Sequence, residues 1–269
     1  MPASILGILK RHKNVASRFV AARHVDVWLP PVHHENQPLP VIYMQDGHNL
    51  FDPAVSNSGE VWAMDRAVTR LAGSGDIPAT IVVGIWDTDR RFREYMPRKA
   101  LDMADKEEQS RFARDNGGMP LSDEYLRFLI EEVKPVVDRE YATKPDRRHT
   151  FIMGSSMGGL LSLYALCEYP DVFGGAGCLS THWPAGDGIM VDYMKTALPP
   201  PGKHHIYFDY GTKDLDALYE PYQMRADAVM RAAGYREDRD WLTRRYEGAT
   251  HNERAWRERV ETPLKFLLG

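Results

Sequence analysis

The stretch Phe151-Ile152-Met153-Gly154-Ser155-Ser156-Met157-Gly158-Gly159-Leu160 constrains this chain more than any other. An apolar run breaks abruptly at glycine, and a small-residue helical pattern from Gly158 to Tyr169 follows. Across the break, Gly154-x-Ser156-x-Gly158 matches a nucleophile elbow: a strand, a strained turn and a helix, with the central serine hydroxyl exposed. Glycines two residues either side suit a turn too tight for side chains. Ser155 lacks that symmetric spacing. The helix start aims backbone N–H groups at the serine, where they favour a developing negative charge. A serine hydroxyl is a weak nucleophile until a neighbouring base takes its proton. The stretch therefore demands a sheet to stand on, and then an acid and a histidine in that chain order.

The rest of the chain supplies the sheet. Strands are expected over Arg23 to Pro30, Leu39 to Met44, Thr80 to Trp86, His149 to Met153, Phe173 to Ser180, His205 to Gly211 and Trp241 to Tyr246. Several are continuous apolar runs, which suit strands covered on both faces. Helical spacing marks Val61 to Leu71, Tyr125 to Tyr141 with Ser122 as N-cap, Val191 to Ala197, Tyr222 to Gly234 and a C-terminal segment through Phe266. This alternation predicts an α/β class with a mostly parallel sheet of about eight strands and helices on both faces. Ligands in such sheets gather outside the C-terminal strand ends. With 269 residues, 1–269 reads as a single domain. A long polar stretch, Asp87 to Asp123, interrupts the pattern and is the expected pocket wall or lid.

Composition narrows the function classes. The 34 basic and 38 acidic residues form no basic stripe, which argues against a nucleic-acid partner. Cys167 and Cys178 read as two buried thiols, not a disulfide framework. No apolar run reaches the roughly 18 residues of a membrane helix. At the N-terminus, Lys10, Arg11 and Lys13 follow the short apolar stretch instead of preceding it, unlike a signal peptide. A soluble cytoplasmic protein is expected, and homo-oligomerisation is left open. No metal or cofactor is expected. The His33-His34 pair has no accompanying ligand spacing, and Asp46, His48 and Asp52 match no ligand geometry.

Four histidines follow Ser156: His182, His204, His205 and His251. His204 and His205 open a strand at the wrong edge of the sheet. His182 follows the strand after the elbow and can line a pocket. His251 lies between the last strand and last helix, where a loop can return an imidazole over Ser156, so it is the expected general base and then acid. The acid should follow the strand ending at Gly211. Asp216, nearer the next helix, is preferred, with Asp214 as the alternative. Its role is to orient the imidazole without taking the proton. For the oxyanion hole, one donor is the Met157 N–H and the other comes from Gly47, His48 or Asn49 after the strand ending at Met44. Aromatic groups at the predicted site edge are Trp62, Trp86, Tyr95, His182, Trp183 and Tyr219, a set suited to a planar acyl group or sugar ring. Of these, Trp62, Tyr95, His182 and Trp183, with Arg91, are the expected substrate contacts. Arg91 or Arg93 pairs with Glu94, or else recognises a carboxylate.

Taken together these motifs resemble the putative-esterase family of α/β-hydrolases, which includes esterase D-like, enterochelin-esterase-like and feruloyl or acetyl-xylan esterases. The carriers are Met44 to Phe51, Arg91-Phe92-Arg93-Glu94-Tyr95, Gly154 to Gly159, Asp171-Val172-Phe173-Gly174, Gly211 to Asp216 and His251-Asn252-Glu253. The resemblance runs from about Arg23 to Leu268. It implies an α/β-hydrolase fold without a large cap domain, and a serine carboxylesterase acting on a small-molecule ester through Ser156, His251 and an acid. An acyltransferase using the same groups and a non-catalytic binding protein on the same scaffold are the rival readings.

Overall fold

Eight strands build one sheet in the computed structural model, which describes residues 4–31 and 37–269. The His33-His34 pair lies outside the described residues. The strands are β1 (Ile8–Val15), β2 (Arg23–Leu29), β3 (Val41–Gln45), β4 (Ile81–Ile85), β5 (Thr150–Ser155), β6 (Gly175–Leu179), β7 (His205–Gly211) and β8 (Trp241–Tyr246). Their spatial order is β1-β2-β4-β3-β5-β6-β7-β8. β2 pairs antiparallel with both β1 and β4, and every later pairing is parallel. Parallel neighbours need long crossovers, and helices fill them. These are α1 (Met64–Ser74), α2 (Arg91–Tyr95), α3 (Arg98–Asp102), α4 (Lys106–Asp115), α5 (Ser122–Arg127), α6 (Lys134–Glu140), α7 (Met157–Glu168), α8 (Ile189–Ala197), α9 (Glu220–Ala232), α10 (Glu253–Arg259) and α11 (Glu261–Leu268).

The period of two along each strand divides the core. On β3, Val41 and Tyr43 face one layer with Val83, Ile152 and the helices α5 to α9. Ile42 and Met44 face the other, with Val82, Met153, α1, α10 and α11. α7 is buried from Met157 to Cys167, which its apolar composition on all sides requires. It holds the elbow serine against the middle of the sheet.

Three local expectations are corrected. β1 was not anticipated, because Lys10-Arg11-His12-Lys13 reads as polar. It is an edge strand, where such charges discourage pairing with other chains, and Arg11 pairs with buried Asp26 at 2.7 Å. Ser122 does not cap α5: its hydroxyl accepts from the Arg98 N–H at 2.9 Å and ties α3 to α5. Glu94 pairs with neither Arg91 nor Arg93 but with Arg23, at 2.6 and 2.8 Å. Arg93 instead donates to the Met119 carbonyl at 2.9 Å. The polar stretch Asp87 to Asp123 thus carries α2, α3 and α4, is tied to β2 through Glu94 and to itself through Arg93, and lends the cleft at Ser156 only Asp87 and Arg91.

Candidate active site

The elbow geometry follows from its glycines. Ser156 sits at φ 56°, ψ −125°, a backbone region costing about 1–3 kcal/mol for a non-glycine residue. The turn is tight enough that a Cβ on Gly154 would lie 2.7 Å from Gln45 Oε1 and 2.8 Å from the Gly158 backbone. β5 therefore delivers Ser156 to the C-terminal edge of the sheet, and α7 begins at once.

β7 delivers the acid to the same edge. After Gly211 the chain makes a 3-10 turn, Asp214–Leu218. Asp214 enters it at φ 54° and is exposed, whereas Asp216 is fully buried. Asp216 Oδ1 lies 2.5 Å from His251 Nδ1. Its Oδ2 accepts from the Gly211 N–H and the Ser180 hydroxyl, both at 2.6 Å. Burial pushes the Asp216 carboxyl up, but the bonds from His251, Ser180 and Gly211 outweigh it and hold the group below its ordinary range. Asp214, the alternative acid, is turned to solvent.

His251 sits between β8 and α10, with its ring edge-on to Trp256 at 5.1 Å and Tyr219 at 5.8 Å. Asn252 caps α10 by accepting from the Ala255 N–H at 2.9 Å, which fixes the chain directly after the histidine. Ser156 and His251 line one cleft of about 290 Å³ together with Trp62, Trp256, Arg91 and Asp87.

Of the expected substrate contacts, Trp62 and Arg91 line this cleft. Arg91 is gripped by Asp46, with two bonds of 2.7 Å. Burial opposes its charge, but the Asp46 carboxylate more than offsets that. Tyr95 and Trp183 do not belong to the wall. Tyr95 is wholly buried behind Arg91 and meets the Asp46 N–H at 3.3 Å. Trp183 is a core side chain on Phe208, with its indole N–H on Gln223 at 2.9 Å. His182 is half-buried and bonds Tyr219 at 2.9 Å. Burial, followed by the nearby His251 and Arg91, lowers it to about 4, so it is neutral near pH 7.

The expected oxyanion donors are also sorted. Met157 is the first residue of α7, where a backbone N–H has no intrahelical partner. Gly47–Asn49 form a 3-10 turn directly after β3. Asn49 drops out as a donor, since its N–H is engaged by the Asp46 carbonyl at 2.9 Å and its Nδ2 by Glu253 at 3.3 Å. The His48 ring is packed away on Trp86 and bonded to Asp87 at 3.0 Å, which leaves backbone N–H groups of Gly47 and His48. Asp46 and His48 pair with Arg91 and Asp87, respectively.

Sequence reasoning missed Trp256 and the group behind the acid: Ser180, Asp209 and Arg259. A buried aspartate inside the apolar strand Ile206 to Tyr210 was the available signal, because such a charge requires a partner.

Comparison with known proteins agrees with this architecture. Residues 17–267 match the family model described as Putative esterase. Uncharacterized protein YbbA of Bacillus subtilis (strain 168) is 24% identical over 273 residues, covering 98% of this chain and 97% of YbbA. Ferri-bacillibactin esterase BesA of the same organism is 31% identical over 156 residues, covering 54% of this chain and 48% of BesA. A solved ferulic acid esterase superposes with a TM-score of 0.68 at 18% identity over 98% of both chains, a likeness of fold. Among the described residues no helix is long and apolar enough to cross a membrane. The chain belongs to the Putative esterase family and is a hydrolase of carboxylic esters on the α/β-hydrolase fold.

Proposed function

We propose that Ser156 is the nucleophile, His251 the general base and then acid, and Asp216 the orienting acid of this esterase. The observation that carries the reading is the 2.5 Å contact between buried Asp216 and His251, beside a cleft that His251 shares with the strained Ser156. In this mechanism Ser156 Oγ attacks the ester carbonyl carbon while its proton passes to His251 Nε2. The carbonyl oxygen becomes an oxyanion facing the Met157 N–H and a second N–H from Gly47 or His48. The carbon–alkoxy bond then breaks, and His251 returns the proton to the departing alcohol. Water, activated by the same imidazole, releases the acid and restores Ser156.

The substrate class is an ester with a flat acyl group carrying polar substituents. Trp62 and Trp256 supply apolar faces with ring centroids 5.5 Å apart, and the Asp46-bound Arg91, with Asn49 and Asn57, supplies polar groups in the same cleft as Ser156. Two relatives whose names print a substrate, a ferri-bacillibactin esterase and a ferulic acid esterase, support this class. The unit is residues 1–269 acting as one domain. A cytoplasmic setting belongs to the same reading, supported by two free, buried cysteines; recovery of the protein from a secreted fraction would contradict it.

The test is hydrolysis of p-nitrophenyl acetate and a methyl hydroxycinnamate. Ser156→Ala should lower kcat by roughly 10⁴–10⁶-fold, and His251→Ala comparably, because the triad acts as a unit. Equal turnover by wild type and Ser156→Ala would overturn the assignment.

A further inference from the structure

Asp216 is held from behind as well as by His251. The Ser180 hydroxyl that reaches its Oδ2 has one proton to give and two lone pairs to fill. Trp256 Nε1 lies 3.0 Å from Ser180 Oγ, and Arg259 Nη2 lies 2.6 Å from it. An indole N–H and a guanidinium N–H can only donate. Both lone pairs are therefore taken, and the single Ser180 proton is directed at Asp216 Oδ2, 2.6 Å away. That oxygen already accepts the Gly211 N–H. With two donors converging on Oδ2, a proton there has no acceptor to point at.

We propose that Ser180 is a positioning residue of the triad: its forced donation keeps Asp216 an ionised acceptor, and so fixes His251 with its proton on Nδ1 and its Nε2 lone pair free for Ser156. The backbone supports the assignment independently. Ser180 has φ 41°, a left-handed conformation that glycine meets more easily. It is held there by two bonds from its N–H to Asp209, 2.9 Å to the carbonyl and 3.0 Å to Oδ1. What serine adds at this position is the hydroxyl.

The charged and titratable surroundings are consistent with an ionised acid. From α10, Arg259 Nη2 lies 2.9 Å from Asp209 Oδ1 and 3.7 Å from Asp216 Oδ2, one cation between two buried carboxylates. From β7, Tyr207 donates to Asp209 Oδ2 at 3.0 Å, and its hydroxyl lies 3.3 Å from that of Tyr246 on β8. Tyr219 lies edge-on to His251 at 5.8 Å, and its hydroxyl bonds His182 at 2.9 Å. Without Arg259, two like charges so close would drive one carboxylate to take a proton.

The inference rests on the triad assignment above, and its test separates the two. Ser180→Gly removes the hydroxyl while easing the backbone, and Ser180→Ala removes it with the strain retained. On p-nitrophenyl acetate both should lose about ten-fold in kcat with KM unchanged. The acid limb of kcat/KM should move up by about one pH unit, the size expected for losing a hydrogen bond to a charged acceptor. The direction follows because a carboxylate that loses a donor becomes more basic, as does the pair it forms with His251. A low-field ¹H resonance from the His251 Nδ1 proton should be present in the wild type and changed in Ser180→Gly. Wild-type kcat and an unmoved limb in folded Ser180→Gly, or a kcat loss with the limb unmoved, would overturn the proposal. So would a low-field resonance that is unchanged in Ser180→Gly. Failure of the triad assignment would show differently, as activity surviving in Ser156→Ala.

Discussion

Arg23 and Arg259 are both buried, and the molecule uses them differently. Every nitrogen of Arg23 has a partner: Glu94 takes it in two bonds, and the Ala21 carbonyl accepts from Nε and Nη2. Its guanidinium also lies over Tyr125 at 5.2 Å and Phe128 at 5.3 Å. Arg259 works through Nη2 alone, shared between Asp209 and Ser180, while Nε and Nη1 have no hydrogen-bond partner among the described residues. A saturated ion pair fastens one element to another, here α2 to β2. An arginine with spare donors beside two carboxylates sets the charge of the site that follows. Burial alone does not tell these roles apart; the accounting of donors and acceptors does.

That contrast can be broken by substitution. The largest effect on folding is expected from Glu94→Gln, which leaves Arg23 charged and uncompensated: a loss of about 3–5 kcal/mol in denaturant unfolding. The pH profile of the remaining folded enzyme should not move. Arg259→Met should give the converse. Stability falls less, kcat drops by about 10–100-fold, and the acid limb of kcat/KM moves to higher pH, since losing the cation raises the pKa of its neighbouring carboxylates. If Glu94→Gln moved the pH limb as far as Arg259→Met, the division of roles would be wrong. Next in size is Arg91→Ala. It removes the cleft's arginine and strips buried Asp46 of its partner, so KM should rise about ten-fold for hydroxycinnamate esters and less for p-nitrophenyl acetate, which substrate titrations would separate. The smallest expected change is for Tyr219→Phe. Its hydroxyl links His182 to the neighbourhood of Ser156, and kcat should fall by about two- to five-fold, the loss of one neutral hydrogen bond.

The legible parts of this molecule are those encoded locally. Gly154-x-Ser156-x-Gly158 is legible because the turn itself sets the spacing: a Cβ on Gly154 would lie 2.8 Å from the Gly158 backbone, while the Gln45 side chain that crowds both glycines comes from the distant β3. The central strands announced themselves as apolar runs. His251 is proposed as the base on chain order and on its contact with Asp216. The choice between Asp214 and Asp216 needed the turn itself, since two acids separated by one residue differ only in which way the backbone faces them. Tyr95 and Trp183 misled because an aromatic residue near a strand end looks the same in sequence whether it lines a cleft or fills the core behind it. The Ser180 hub was invisible for a different reason. Ser180 and Arg259 are 79 positions apart, and no local pattern links them.

If Ser156, activated by His251, forms the covalent intermediate, a fluorophosphonate will mark it, as read by the intact mass and peptide map of the protein after reaction. A single adduct on Ser156, absent in Ser156→Ala and formed far more slowly in His251→Ala, is the predicted result. An adduct on another residue, or ester turnover by an enzyme that takes no label, would contradict it.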